Sequence, residues 1–316
     1  MTVSQPVILV TGSDLAQEAL DLLTNFEIIY AGRQPSEDNL CLLCEKHDPV
    51  AIIVRYGKIT ARIMDAAPHL RVISKHGSGI DVIDQKAAAE RHISVQSAPG
   101  ANAAAVAEHA WTMILACAKS VLPLDRRMRQ GHWDKSTHKS VELEGRTLGL
   151  IGLGAIGARV ARIGNAFGMN VIAYDPFAKT FPDGCHSSSL DALLQNADVI
   201  SLHCPLTEDT RKMINSDTLA LCKKGAILVN TARGGLIEDD DLLRALDNGT
   251  ISWAALDSFT TEPLTAPHVW QYVDNVILSP HIGGVSDTSF VKMGTAAASN
   301  VLKVLAEPLK NEGALP

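Results

Sequence analysis

The stretch TLGLIGLGAIGARVARIGNAFG, residues 147–168, decides the fold, because an apolar strand pattern runs through a glycine-rich turn into a helical pattern. Gly152, Gly154 and Gly157 stand in the spacing G-x-G-x-x-G, which is weak alone but gains weight between a strand and a helix. The first glycine permits a tight turn, the second lets backbone approach a pyrophosphate, and the third lets the helix pack on the strand. The stretch therefore predicts the phosphate-binding turn of a dinucleotide-binding domain.

An acidic residue completes this pattern. Asp175 follows the predicted strand NVIAY, 18 residues after Gly157, where a carboxylate can accept hydrogen bonds from the adenosine ribose hydroxyls. The same charge would repel a 2′-phosphate, so NAD is expected in preference to NADP. The amides of Ala155 and Ile156, at the helix N-terminus, are expected to face the phosphates. A structural glycine turn beside a surface aspartate is the less favoured interpretation.

Short β-branched segments alternate with helical patterns along most of the chain, which is typical of parallel sheets covered on both faces. The first series of predicted strands is VILV (7–10), EIIY (27–30), AIIV (51–54), RVIS (71–74) and ISV (93–95). The second series is TLGLI (147–151), NVIAY (170–174), DVISL (198–202), AILVN (226–230), SWAAL (252–256) and VIL (276–278). The predicted helices include 14–24, 37–47, 60–67, 84–91, 102–119, 238–249 and 286–306, of which 238–249 has the clearest pattern. The pattern predicts an α/β fold with two doubly wound parallel-sheet domains, and a polar segment, 123–146, interrupts it.

Composition excludes several classes of function. The chain has 316 residues, about twice a typical domain. A net charge of −7 and an aromatic content of 4% argue against a nucleic-acid partner. No apolar run approaches the roughly 20 residues that a membrane span needs, and the N-terminus lacks the basic start of a signal peptide. Six scattered cysteines without metal-site spacing predict buried free thiols, no metal site and a reducing, cytoplasmic location.

Chemically functional residues follow the later strands. Arg233 comes after AILVN, Asp257 and Glu262 after SWAAL, and His281 after VIL. In open α/β sheets, ligands bind beyond the carboxyl ends of the strands, so these side chains are expected at the cofactor edge. Each has an ordinary structural interpretation alone, as a surface cation, a helix cap, a turn residue or a loop histidine. Four of them behind a dinucleotide turn favour a catalytic site.

The residue types suit hydride transfer between NAD and an alcohol. An imidazole can remove the hydroxyl proton near neutral pH, and a carboxylate beside it orients the ring and stabilises its protonated form. A guanidinium can hold a substrate carboxylate and polarise the adjacent carbonyl. These groups predict an oxidoreductase acting on a CH–OH group.

Beyond these patterns, the chain resembles the D-isomer-specific 2-hydroxyacid dehydrogenase family, and most closely its phosphoglycerate dehydrogenase and hydroxypyruvate reductase branch. The resemblance covers nearly the whole chain. Its motifs are KHGSGIDVID (75–84), NAAAVAEHA (102–110), GLGAIG (152–157), YDP (174–176), HCPLT (203–207), NTARGG, ALDSFTTEP and SPHIGG.

This resemblance implies a role for individual residues. His281 matches the family's acid/base, Glu262 its carboxylate partner, and Arg233 the arginine that grips the substrate. Asp257 matches the acid that helps to hold the nicotinamide. Further matches to the cofactor site are His203, Pro205, Thr207, Thr231, Ala232 and Gly284. Matches to the loop whose amides bind the substrate carboxylate are Gly77, Ser78 and Gly79.

The resemblance also implies a domain organisation. Residues 1–101 and 285–316 would form a flavodoxin-like, substrate-binding domain, and 102–284 a Rossmann NAD-binding domain. The two domains would close over the substrate and exclude water. Segment 123–146 matches the family's dimer arm, so a homodimer is expected. Because the chain ends at Pro316, a regulatory domain like those of the long phosphoglycerate dehydrogenases is not expected.

The substrate prediction depends on two basic residues. Arg55 and Lys75 follow predicted strands, and Arg55 matches a basic position that phosphoglycerate dehydrogenases use near the phosphate. They favour a 2-hydroxy acid with a second anionic or polar group, such as 3-phosphoglycerate or glycerate, with hydroxypyruvate as the keto acid of the latter. The alternative is that both cations pair with acids or water.

Two other functions remain open. Formate dehydrogenases resemble the chain broadly but carry glutamine where Glu262 stands. NAD-binding transcriptional corepressors share the fold and can retain the Arg, Glu and His, so the three residues do not exclude a protein-interaction module.

Overall fold

The computed structural model describes residues 5–307. The chain divides into two compact units, one formed by Met1–Asn102 with Ser286–Pro316 and the other by Ala103–Val285. The outermost residues of the first predicted domain, 1–4 and 308–316, lie outside the described residues. The separate roles predicted for the two domains stay a prediction.

The first unit contains one parallel sheet of five strands. These are β1 (Val7–Val10), β2 (Glu27–Tyr30), β3 (Ala51–Val54), β4 (Val72–Lys75) and β5 (Ser94–Gln96). Its helices are α1 (Gln17–Leu22), α2 (Glu37–His47), α3 (Ala61–Asp65), α4 (Gln85–Glu90) and α11 (Asp287–Ala306). The strand order β2-β1-β3-β4-β5 is that of flavodoxin-like folds, as predicted.

The sequence of this unit explains its packing. All four residues of β3 are buried, which is expected for the apolar centre of a parallel sheet. On one face, Ala297, Ala298 and Val301 of α11 pack against the sheet, which brings the C-terminal helix onto the N-terminal strands. Helix α11 begins with a capping box between Ser286 and Ser289.

The second unit contains one sheet of seven parallel strands. These are β6 (Thr147–Ile151), β7 (Asn170–Tyr174), β8 (Cys185–Ser187), β9 (Val199–Leu202), β10 (Ala226–Asn230), β11 (Ile251–Leu256) and β12 (Val276–Leu278). Its helices are α5 (Ala103–Lys119), α6 (Val121–Arg129), α7 (Gly157–Ala166), α8 (Leu190–Asn196), α9 (Ser216–Ala220) and α10 (Asp239–Asp247). Two 3₁₀ helices complete it, Gly234–Leu236 and Val269–Tyr272.

The strand order β12-β11-β10-β9-β6-β7-β8 is the doubly wound Rossmann arrangement with one added strand. The first strand of this sheet, β6, lies in its middle. The chain then runs through β7 to the edge strand β8 and returns to β9 on the other side of β6. The point where this order reverses lies between β6 and β9, and open α/β sheets bind ligands there. The predicted fold class is confirmed.

Helices cover both faces of this sheet. On one face, Trp111 of α5 and Val160 of α7 pack with Leu148 of β6. On the other, Leu194 of α8 and Leu242 of α10 belong to a second buried cluster. The sheet is therefore the rigid centre from which the site loops emerge.

Some elements differ from the prediction. Strand β8, with the sequence CHS, was not predicted because its last two residues are polar and exposed at the edge of the sheet. Helix α6 lies at the start of the segment predicted only as polar, and none of its residues is buried. Helix α1 is shorter than predicted, since Ala16 is still extended.

Two further observations concern the cysteines and the helix lengths. All six cysteines are free thiols, and burial raises the pKa of Cys44 and of Cys117 to about 12. Within residues 5–307, no helix has the length and apolar character needed to cross a membrane.

Candidate active site

The loops that leave β6, β9, β10, β11 and β12 emerge at one edge of the second sheet. Backbone hydrogen bonds align these strand ends, since His203 N donates to Ile151 O at 2.7 Å and Asp257 N to Asn230 O at 2.9 Å. Ser279 N donates to Leu256 O at 3.0 Å. Because the strands are parallel, the residues that follow each of them share this edge.

The glycine turn has three different steric environments. Gly152 has φ +96°, and a Cβ there would lie 2.6 Å from the His203 carbonyl carbon, so only glycine fits. A Cβ at Gly157 would lie 2.2 Å from Gly152 O, which reflects the close packing of helix α7 on the turn. A Cβ at Gly154 would meet no protein atom within 4 Å. The turn thus leaves open space at its middle glycine, where a pyrophosphate could approach the backbone.

Asp175 holds this turn from the next strand. Its Oδ2 accepts a hydrogen bond from Leu153 N at 2.7 Å, and its Oδ1 accepts from Phe177 N at 2.9 Å. The carboxylate is therefore fixed beside the glycine turn. This position suits a group that contacts a ribose.

His281 and Glu262 form a direct pair. His281 Nδ1 lies 2.7 Å from Glu262 Oε2, and Glu262 Oε1 accepts a hydrogen bond from Phe259 N at 2.9 Å. Burial would raise the pKa of Glu262, but the hydrogen bonds from His281 and Phe259 and the nearby charge of Arg233 outweigh it and lower that pKa. Glu262 is therefore ionised and accepts the hydrogen bond, so the proton between them sits on Nδ1.

Arg233 lies close enough to influence this pair electrostatically. Its loop is held by the fully buried Asn230, whose Oδ1 accepts from Ala232 N at 3.0 Å and whose Nδ2 donates to Arg233 O at 2.8 Å. Arg233 Nη1 donates to Ala232 O at 2.9 Å. The second unit thus brings Arg233, Glu262 and His281 together.

Asp257 supports the loop that carries His281. It is 1% exposed, and its two carboxylate oxygens accept from Ile282 N at 3.0 Å and Gly283 N at 2.8 Å. Burial would raise the pKa of Asp257, but hydrogen bonds from His109, Ser279 and the two amides outweigh it and lower that pKa. Asp257 is thus a buried carboxylate anion that holds the two residues after the predicted acid/base.

The other residues predicted at the cofactor site line the same edge. His203 Nε2 lies 2.9 Å from Ser201 Oγ, and burial lowers the pKa of His203 to about 4, so the ring is neutral at pH 7. Pro205 O accepts a hydrogen bond from Thr210 Oγ1 at 2.7 Å, and Thr207 N donates to Thr210 Oγ1 at 2.8 Å. The hydroxyl of Thr231 is buried and has no hydrogen-bond partner among residues 5–307.

These features fit a dinucleotide. The carboxyl ends of β6, β7 and β10 carry, respectively, an open position over Gly154, a fixed carboxylate at Asp175 and the buried hydroxyl of Thr231, which has no partner in the described part of the chain. Ala155 and Ile156 lie in the connection after β6, Ala232 in the loop after β10, and Gly284 in the loop after β12. Among residues 5–307, no cluster of three or more His, Cys, Asp or Glu side chains could hold a metal ion.

The residues predicted to bind substrate outside this group belong to the first unit. Gly77 has φ +145°, and Ser78 Oγ donates to Asn102 Oδ1 at 3.1 Å, in the loop that continues to Gly79. The guanidinium of Arg55 pairs with the Asp14 carboxylate and lies 5.0 Å from the centre of the Phe290 ring. Lys75 Nζ donates to Arg55 O at 3.0 Å.

One residue at the edge was quoted in a motif but given no role. His109, on α5, places Nε2 3.1 Å from Ser279 Oγ and 3.4 Å from Asp257 Oδ1. Its contacts are 148 and 170 residues distant in sequence, so no local pattern indicates them.

The chain is similar to known proteins over most of its length. Residues 111–283 match the family model described as D-isomer specific 2-hydroxyacid dehydrogenase, NAD binding domain. The chain is 39% identical to a hydroxypyruvate reductase of Thermotoga maritima over 92% of this chain and 96% of the relative. It is 41% identical to a D-3-phosphoglycerate dehydrogenase of Methanocaldococcus jannaschii over 84% of this chain, but spans only 51% of that relative.

A solved structure extends the comparison. The crystal structure of a D-lactate dehydrogenase from Aquifex aeolicus, complexed with NAD and lactic acid, matches with a TM-score of 0.81 and 31% identity. The match covers 95% of each chain.

Proposed function

Because the chain belongs to the D-isomer-specific 2-hydroxyacid dehydrogenase family, we propose that it interconverts hydroxypyruvate, or a close analogue, and the corresponding D-2-hydroxy acid with NAD as cofactor. The chain is an NAD-dependent oxidoreductase of small hydroxy and keto acids. The observation that supports the proposed catalytic residues is the 2.7 Å contact between His281 Nδ1 and Glu262 Oε2, at the edge of the sheet where the glycine turn lies.

His281 is the proposed acid/base. Glu262 holds Nδ1, so Nε2 is the nitrogen that gives a proton to the carbonyl oxygen during reduction and takes the hydroxyl proton during oxidation. NADH, when bound, supplies the hydride to the carbonyl carbon. The negative charge of Glu262 stabilises the protonated imidazole and keeps the ring oriented.

Arg233 is the proposed substrate anchor. A guanidinium can hold a carboxylate through two parallel hydrogen bonds and polarise the neighbouring carbonyl, which a lysine cannot do with the same geometry. Arg233→Lys should therefore raise KM for the keto acid and reduce kcat, while NADH affinity stays unchanged.

The ion pair between Arg55 and Asp14 favours a substrate with a neutral polar group over one with a phosphate. Asp14 already neutralises this guanidinium, whose side chain is 12% exposed, and Phe290 packs against it. A phosphate would have to displace that carboxylate. Hydroxypyruvate requires no such exchange, and one relative matched over 96% of its length is a hydroxypyruvate reductase.

A panel assay tests these proposals. NADH oxidation by the purified protein is measured with hydroxypyruvate, 3-phosphohydroxypyruvate, glyoxylate and pyruvate. We expect hydroxypyruvate to give the highest kcat/KM, and Asp14→Asn to raise kcat/KM for the phosphorylated acid relative to an Asp21→Asn control. A protein that binds NADH but reduces none of the acids would refute the enzymatic proposal and favour a binding module. Highest activity with 3-phosphohydroxypyruvate in the parent would refute the substrate proposal alone.

A homodimer is proposed through the segment that begins with α6. Its large apolar side chains are unusually exposed, with Trp133 at 73% and Val121, Leu122 and Met128 near 50%. A surface of this kind marks an interaction site. Light scattering should give twice the mass of the chain, and Trp133→Glu should shift it to the monomer; a monomeric parent would refute the proposal.

A reducing, cytoplasmic location is also proposed. It is supported by six free cysteines, since thiols persist unpaired where the environment is reducing. Recovery of the native protein in the cytosolic fraction of its source cells would agree with this, and recovery outside the cell would refute it.

A further inference from the structure

We propose that His109 is a positioning residue for the acid/base, which it holds in place through Asp257 and Ser279. The proposal rests on the function assigned to His281 above. It adds a residue to the site that lies in helix α5 and not in one of the loops that follow the strands.

The contacts of His109 converge on both sides of His281. Its Nε2 lies 3.1 Å from Ser279 Oγ, two residues before His281, and 3.4 Å from Asp257 Oδ1. Asp257 in turn accepts from the amides of Ile282 and Gly283, the two residues after His281. The loop is thus held at Ser279, two residues before the acid/base, and at Ile282 and Gly283, directly after it.

The loop needs such support because its conformation is unusual. His281 has φ +54°, in the left-handed region that non-glycine residues rarely adopt, and its N donates to Ser279 O at 3.0 Å. Such a conformation costs free energy and persists only where the surroundings enforce it. The anchors at 279, 282 and 283 supply that enforcement, and two of them depend on the Asp257 carboxylate.

The imidazole also completes the environment of a buried charge. Asp257 is 1% exposed, and the side chain that faces it from α5 is His109, while the 279–283 loop offers Ser279 and two amides. A buried carboxylate without enough donors is costly, so a neutral apolar side chain at 109 would leave Oδ1 with fewer partners. Close packing adds to this, since a Cβ at Gly283 would lie 3.1 Å from His109 Cδ2.

Two substitutions separate hydrogen bonding from packing. His109→Leu removes the donor and keeps an apolar side chain, and His109→Gln restores an N–H donor at similar reach. We expect the leucine variant to lose kcat roughly 10- to 100-fold, since small displacements of catalytic groups cost that much, with the Kd of NADH unchanged. The acid limb of its pH profile should move upward as Asp257 becomes easier to protonate. The glutamine variant should recover most of kcat, and Thr112→Ala, on the same helix, should match the parent.

A measurement without turnover keeps this inference separate from the proposed function. The side-chain nitrogens of His281 are observed by NMR in ¹⁵N-histidine-labelled holoprotein and assigned by comparison with His281→Ala. We expect His109→Leu to shift the His281 resonances, and Thr112→Ala to leave them in place. A parent inactive on every keto acid would refute the proposed function, while unchanged His281 resonances or an unchanged pH profile in His109→Leu would overturn the role of His109. Equal loss in the leucine and glutamine variants would show packing alone and would also overturn it.

Discussion

His281 Nδ1 lies 2.7 Å from Oε2 of Glu262, although the two residues leave the sheet in different loops. The carboxylate is fixed at its other oxygen by Phe259 N at 2.9 Å, so it is a rigid partner for the ring. This arrangement leaves Nε2 as the nitrogen available for chemistry.

Replacing the acid/base should abolish most turnover without removing cofactor binding. His281→Ala is expected to lower kcat by about 1,000-fold, the usual contribution of a positioned general acid. NADH should bind with unchanged Kd, measured by fluorescence titration, because the glycine turn is untouched. His186→Ala, at an exposed position on edge strand β8, is the matched control. A His281→Ala enzyme with near-normal kcat at pH 7 would contradict the assigned role.

Removing only the charge of Glu262 tests the pair itself. Glu262→Gln keeps the volume and an acceptor oxygen but no longer stabilises the protonated ring, so kcat should fall about 100-fold. In the His281→Ala background the same change should cost almost nothing, because the two side chains act as a unit. Stopped-flow and steady-state kinetics of the double-mutant cycle measure this coupling. Glu208→Gln, 90% exposed, is the control, and additive losses would count against the pair.

The glycine turn allows stability and cofactor binding to be separated. Gly154→Ala should leave the thermal midpoint within about 2 °C, since the new methyl meets no atom within 4 Å, yet weaken NADH binding by roughly tenfold or more. Gly152→Ala should destabilise the fold by about 2 kcal/mol or more, because of its φ of +96° and its backbone neighbours. Calorimetry with and without NADH reports both effects. A Gly154→Ala protein with parental NADH affinity would argue against the placement of the pyrophosphate.

The sequence predicted the elements whose residues are buried and β-branched. AILVN, residues 226–230, became β10 within its predicted limits, because a fully buried parallel strand has a continuous apolar pattern. CHS, residues 185–187, gave no such signal, since this edge strand is held by backbone pairing with β7. Helix α6 was missed because none of its residues is buried and its short sequence is rich in charge, so it was taken as part of a polar segment.

The residues of the candidate site likewise fall into those that the sequence indicated and those that it did not. Gly152, Asp175 and Glu262 were indicated by motif spacing, by their position after predicted strands and by the family resemblance. All three signals can be found in a short stretch of sequence. His109 was not given a role, because its partners Ser279 and Asp257 approach it only in three dimensions. The sequence left pairing of Arg55 with an acid as an alternative but could not name Asp14 as the partner, and this pair favours hydroxypyruvate over a phosphorylated acid in our proposal.

The charge of Asp175 should determine cofactor choice. Asp175→Asn keeps one acceptor for the turn amides but removes the charge that repels a 2′-phosphate. The ratio of kcat/KM for NADPH to that for NADH is expected to rise about tenfold, which corresponds to about 1.4 kcal/mol. Asp183→Asn, in the exposed connection before β8, should leave the ratio unchanged. An unaltered ratio in Asp175→Asn would place the source of NAD preference elsewhere.

Asp198 offers a test of stability that is independent of the active site, because it lies at the opposite, amino end of β9. Burial would raise its pKa, but Lys223 at 2.7 Å, Thr147 N at 2.9 Å and Arg146 at 3.2 Å outweigh burial and lower that pKa. A carboxylate whose pKa is lowered in the folded state stabilises the fold at pH values above its ordinary pKa of 3.8. It loses this contribution as the pH falls through the pKa of the folded state.

Asp198→Asn should therefore lower the thermal midpoint at pH 7 by about 3–6 °C, with kcat unchanged. The difference from the parent should shrink as the pH falls below 3.8, where the parent carboxylate also becomes neutral. A difference that is constant from pH 7 to the acid limit would show that the side chain contributes through shape and not through charge.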